Sequence, residues 1–174
     1  MKKIDVGQTI NTVANLGVIA DIIFLAIEIN QSTTVARSAA RQAIAEMISS
    51  RPMVTVENES VARLSLKFIR GEPLTEVERL QALSRTYSVM RDWENIHYQY
   101  EAGMLTEDEW SGFRLNLKGL FDFPITQEFW QNENQFFSRR FQEEVSVILS
   151  EREEEGAGGS YNYLFDTRPV EESQ

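Results

Sequence analysis

The chain has 174 residues, 42% of them hydrophobic, with 10 Phe, 5 Tyr and 3 Trp, enough apolar surface for a packed core and against wholesale disorder. Cysteine is absent and His97 is the single histidine, which removes disulfides, thiolate chemistry and multi-histidine metal sites within one chain. A net charge of −10 argues against a phosphate-binding surface, so no nucleic-acid partner is expected.

The first hydrophobic segment covers residues 10–29. It holds eleven strongly apolar side chains, interrupted by Asn11, Asn15, Asp21 and Glu28. Twenty helical residues span about the hydrocarbon thickness of a bilayer. Each apolar residue favours insertion by about 0.3 to 0.6 kcal/mol at the centre, while one central Asp opposes it by about 2.5 to 3.5. The sum is near zero, and angular placement then matters. At about 100° per residue, Val13, Leu16, Ile19, Ala20, Ile23, Phe24 and Ile27 share one uninterrupted apolar half. Asn11, Asn15, Asp21 and Glu28 fall on the other half, a candidate intramembrane polar face that docks on another helix, commonly a second copy. The same pattern suits the central helix of a soluble bundle, and Lys2 and Lys3 also permit a cleaved signal peptide.

The pattern runs on through Ala36, Ala39, Ala40, Ala43, Ile44, Met47 and Ile48, predicting one long helix from about Thr9 to Ser49. Its alanine stripe is expected to dock on later helices, and Pro52 to stop it, leaving Met53–Val56 as a connector. A short helix is expected over 60–70, with Val61, Leu64 and Phe68 inward and Gly71 as its stop. Thr75 with Glu78 is a capping box opening a helix to about Ala102. Thr106 with Glu109 is a second box, with Leu105 and Trp110 at hydrophobic-staple spacing around it. After the turn at Asp122-Phe123-Pro124, one last helix is predicted from about Thr126 to Glu154. Phe129, Trp130, Phe136, Phe137, Phe141, Val145, Ile148 and Leu149 form its apolar stripe. No period-2 segment stands out, so the fold class is all-α: a long N-terminal helix on a small helical bundle. The boundaries expected are 1–56 for the long helix, 57–150 for the bundle and 151–174 for an acidic, flexible tail. Tyr161, Tyr163, Leu164 and Phe165 in that tail allow a short docking peptide instead.

The chemistry-bearing pattern with most content is Glu94-Asn95-Ile96-His97. A heptad stripe places Leu80, Leu83, Tyr87, Met90, Glu94, His97 and Glu101 together, so Glu94, His97 and Glu101 form a candidate buried polar cluster. Arg85, Arg91, Arg114 and Arg140 are its possible partners. Di-iron bundles use Glu and His at this spacing, but they need two such motifs, and this chain has one histidine. No serine sits in a nucleophile elbow, and the glycines of the tail make no phosphate loop. No cofactor is expected and no catalytic residue is assigned.

The string Phe24-Leu25-Ala26-Ile27-Glu28-Ile29-Asn30-Gln31, then Trp93-Glu94-Asn95, Tyr100-Glu101-Ala102-Gly103, Trp110, Phe129-Trp130 and Phe141, resembles a group of short helical bacterial proteins. Those proteins carry one N-terminal hydrophobic helix that looks like a membrane anchor, and no activity is assigned to the group. The resemblance covers residues 13–145, and the chain departs from it in placing Asn15 and Asp21 inside the anchor. It supports the anchor reading and implies no activity; with the one-sided 10–29 segment, the expectation is a single-pass bacterial membrane protein whose helical body works through protein contacts without catalysis. Two alternatives stay open. One is a soluble, cytoplasmic bundle binding a small apolar ligand among Tyr87, Trp93, Trp110, Phe113 and Trp130. The other is a metal-dependent enzyme using Glu94 and His97.

Overall fold

The computed structural model describes residues 6–155, and among these the fold is all-α. The helices are α1 (Val6–Glu57), α2 (Glu59–Arg70), α3 (Glu76–Glu101), α4 (Glu107–Leu120), α5 (Pro124–Glu133) and α6 (Arg139–Glu155), with a 3-10 turn at Asn134–Phe136. The chain divides after Gln42 into two compact units. The first unit's described part is the helix over 6–42. The second holds the remainder of α1 and every later element. Residues 156–174, which include most of the expected tail, lie outside the described residues; 151–155 belong to α6.

α1 does not stop before Pro52 but continues to Glu57, so Met53–Val56 is helix rather than connector. Proline has no N–H for the carbonyl four residues back, that of Ile48, and costs a helix interior about 3 kcal/mol. Contacts to α3 flank the proline: Arg51 before it bonds Asp92, and Thr55 after it accepts from Arg85 at 3.3 Å. Further back in the same helix, Ile44 is buried in the core with Met47 and Ile48 packed against it. Of the alanine stripe, Ala36, Ala39 and Ala43 are exposed and Ala40 is half-buried, while Ile44 is buried.

The stops and starts of the middle helices follow local chemistry. Gly71 ends α2 with φ +63°, a left-handed backbone that suits glycine. Its N–H donates to the Phe68 carbonyl, and that of Glu72 to the Lys67 carbonyl. Both capping boxes form. The Glu78 N–H donates to Thr75 Oγ1 at 3.3 Å, and the Thr75 N–H returns the bond to the Glu78 carboxylate at 2.9 Å. Lys67 reaches the same carboxylate at 2.7 Å, and the two bonds hold Glu78 at about 2. Thr106 and Glu109 repeat the arrangement at the start of α4, with Leu105 and Trp110 both buried.

The single helix expected from Thr126 to Glu154 is two helices. α5 starts at Pro124, which occupies the first helical position where its missing N–H costs nothing. The chain then leaves the helical path at Phe137, whose backbone is extended, and resumes at Arg139. The break turns Phe137 into the core beside Trp130 and Phe141, with ring centroids 5.2 and 5.9 Å away. Phe136, expected inward, is 59% exposed. The heptad stripe on α3 also needs correction. Leu80 is 67% exposed and Tyr87 is exposed, and the buried face is Ala82, Thr86, Met90, Trp93, Ile96 and His97.

The core gathers Trp93, Trp110, Phe121, Phe129, Trp130 and Phe141 with aliphatic side chains from α1, α3, α4 and α6. Arg114 ties α4 to α6 through Glu144 at 2.6 Å and, with two bonds, Glu151 at 2.7 and 2.8 Å. These carboxylates raise Arg114 above its ordinary value, and Arg114 lowers Glu151. Arg152 bonds Asp122 in the α4–α5 turn at 2.9 Å.

Candidate functional site

In the first unit the described side chains of the 10–29 segment are exposed on every face of the helix. Asn11, Asn15, Asp21 and Glu28 are exposed, and so are Leu16, Ile19, Ile22, Ile23 and Phe24, the last at 66%. α1 is long and apolar enough to cross a membrane, with a window of mean hydropathy 1.4. A soluble core helix passes that test too, but is mostly buried, whereas none of this window is. Three hydroxyls further along turn back on the helix. Thr33, Thr34 and Ser38 donate to the carbonyls of Ile29, Asn30 and Thr34 at 2.8 to 3.0 Å. These hydroxyls lie beyond residue 29; within the segment the polar side chains Asn11, Asn15, Asp21 and Glu28 are the cost of an apolar surrounding.

The three residues expected as one polar cluster have three different surroundings. Glu94 accepts from Arg91 at 2.6 Å and from the Ser138 backbone N–H. Arg91 also donates to the Phe136 carbonyl at 2.9 Å and lies over the Phe137 ring at 4.5 Å. These two α3 side chains therefore hold the break between α5 and α6. His97 is buried among rings, with Trp110 at 5.2 Å and Phe141 at 5.8 Å. Glu101 is exposed and pairs with Arg140 at 3.3 Å. Of the other arginines weighed as partners, Arg114 binds Glu144 and Glu151, and Arg85 binds hydroxyls. Among the described residues no group of three or more His, Asp or Glu is placed to hold a metal ion.

The Glu94 contacts make a pH prediction. Burial alone raises this carboxyl, but the Ser138 N–H and Arg91 outweigh it and leave it below the ordinary glutamate range. A lowered folded value means the stabilisation is complete above the ordinary value and disappears as pH falls through the lowered one. Glu94→Gln is therefore expected to cost about 1–2 kcal/mol at pH 7. The wild type and variant should converge as thermal melts move from pH 5 to pH 3. Parallel curves would show that the Glu94 charge contributes nothing.

The residues expected to line an apolar ligand site mostly pack on one another. Trp93, Trp110 and Trp130 are buried core residues, Phe113 lies edge-on to Trp93 at 6.2 Å, and Tyr87 is exposed. A cavity of about 280 Å³ lies elsewhere in the second unit, walled by α2, α3 and the start of α5. Leu64, Phe68, Val89, Met90 and Phe123 give it an apolar wall. Arg51 and Arg85 are the charged residues lining it. An open recess of about 460 Å³ shares Arg51, Leu64, Arg85 and Val89 with it, so both arginines line both. Arg85 donates to Ser65 Oγ at 2.9 Å and Thr55 Oγ1 at 3.3 Å. Desolvation and the neighbouring Arg51 charge lower its ordinary value, though an arginine stays cationic. The spacing of residues 51 to 126 along the chain gave no sign of this cavity.

Neither a family model, nor a curated protein, nor a solved structure matches the chain, so no family or activity comes to it by comparison.

Proposed function

We propose that residues 10–29 anchor the chain in a membrane as a single span and that the helical body of the second unit works beside it through protein contacts. The observation that carries this reading is a helix with one continuous apolar half, its described side chains exposed on all sides. A contiguous exposed apolar surface of this kind marks a membrane or partner interface. The Asp21 and Glu28 half faces another helix, most simply a second copy, rather than lipid. The bacterial resemblance and the nearly neutral charge of residues 1–56 agree with it.

The full-length protein, expressed in a bacterium, is expected in the membrane pellet after an alkaline carbonate wash and in solution only with detergent. Recovery in the supernatant without detergent would sink the anchor.

A further inference from the structure

We infer that the cavity between α2 and α3 binds an anionic amphiphile, a single acyl chain ending in a carboxylate, with its head at Arg85 and its tail along Phe68 and Phe123. Every residue lining this cavity lies in the second unit, so the inference stands or falls apart from the anchor. Its volume of about 280 Å³ is near the lower end of small-ligand sites, and such sites join an apolar wall to a few convergent polar groups. Phe68 and Phe123 close one side with ring centroids 5.1 Å apart, a surface that suits methylene groups and offers no hydrogen bond.

The charge balance at the mouth chooses the head group. Arg51 spends its charge on Asp92. Arg85 bonds only neutral hydroxyls and, among the described residues, has no carboxylate within ion-pair distance. The mouth is thus left with about one net positive charge on a protein of net charge −10. One guanidinium fork matches one carboxylate, with two parallel N–H···O bonds. A doubly charged head group meets no second free cation there and is repelled by the acidic body. An uncharged apolar molecule leaves Arg85 unmatched.

The test uses the full-length protein and a decanoate probe carrying a photoreactive diazirine at its far end, with labelled peptides mapped by mass spectrometry. Labelling is expected within residues 64–69 and 82–90, displaced by decanoate but not by decylamine. Arg85→Gln should reduce it about tenfold, the size of one lost charged hydrogen bond. Val89→Phe, which fills the cavity and leaves Arg85 in place, should reduce it as well, with tryptophan emission confirming that both variants fold. Labelling confined to residues 10–35, equal displacement by decylamine, or unchanged labelling in Arg85→Gln would each overturn the assignment. The first of those outcomes would leave the anchor intact, and a soluble chain labelled at 64–69 and 82–90 would leave the cavity intact.

Discussion

Replacing Ile23 by aspartate is expected to release most of the full-length chain from the membrane pellet. Ile23 lies at the middle of the apolar half, and it is exposed. The substitution removes about 0.5 kcal/mol of favourable insertion and adds about 2.5–3.5 kcal/mol of cost. A total near 3 kcal/mol is about a hundredfold in the partition. The wild-type segment starts near balance, so the change decides the outcome. Asp21→Leu acts with the opposite sign and similar size, and should firm up the insertion. Tyr98→Asp, on an exposed position of α3, serves as the control and should leave fractionation unchanged. If Ile23→Asp pellets like wild type, the apolar half does not face lipid, and burial against protein must hold the helix instead.

Phe141→Ala is expected to cost about 3–5 kcal/mol of the body's stability, the usual range for removing a buried aromatic ring. Phe141 is fully buried and touches the rings of His97, Trp130 and Phe137 at 5.7 to 5.9 Å. It thereby joins α3, α5 and α6 in one contact. A single domain has only about 5–15 kcal/mol in hand, so this loss brings the body close to unfolding at ordinary temperature. Phe136→Ala supplies the comparison, because that ring is mostly solvent-exposed and should cost under about 1 kcal/mol. Urea denaturation of both variants checks the ranking. Equal losses would mean that the packing around Phe141 is not what stabilises the core.

The parts of the fold that were legible in the sequence are those whose cause is local. Thr75 with Glu78, and Thr106 with Glu109, are capping boxes because both partners lie within one turn. Gly71 ends α2 for an equally local reason. The break between α5 and α6 was not legible, because Phe129, Phe136, Phe137 and Phe141 keep a helical spacing across it. What holds it comes from α3, more than forty residues away, through Arg91 to the Phe136 carbonyl and Glu94 to the Ser138 N–H. The continuation through Pro52 was not legible for a related reason, since the contacts beside the proline, Arg51 to Asp92 and Arg85 to Thr55, come from α3 some thirty to forty residues on. In the candidate sites, the apolar segment was visible from composition and angle, but its exposure was not, because the same pattern suits a bundle helix. The polar stripe was not, because Glu94, His97 and Glu101 lie on one helix yet meet three different neighbourhoods. The cavity was invisible because its lining is assembled from α1, α2, α3, α4 and α5.

The three tryptophans have a practical consequence for any spectroscopy on this chain. Trp93, Trp110 and Trp130 all sit in the core of the second unit, and residues 1–42 contain neither tryptophan nor tyrosine. Tryptophan emission, and dichroism near 290 nm where tryptophan dominates, therefore watch the body alone, and a melt followed by either is silent about the first unit. The helix over 6–42 adds to the far-ultraviolet signal together with the helices of the body. With a wavelength pair near 222 and 290 nm, the body's transition is marked at 290 nm, and a change near 222 nm that does not coincide with it belongs to the first unit.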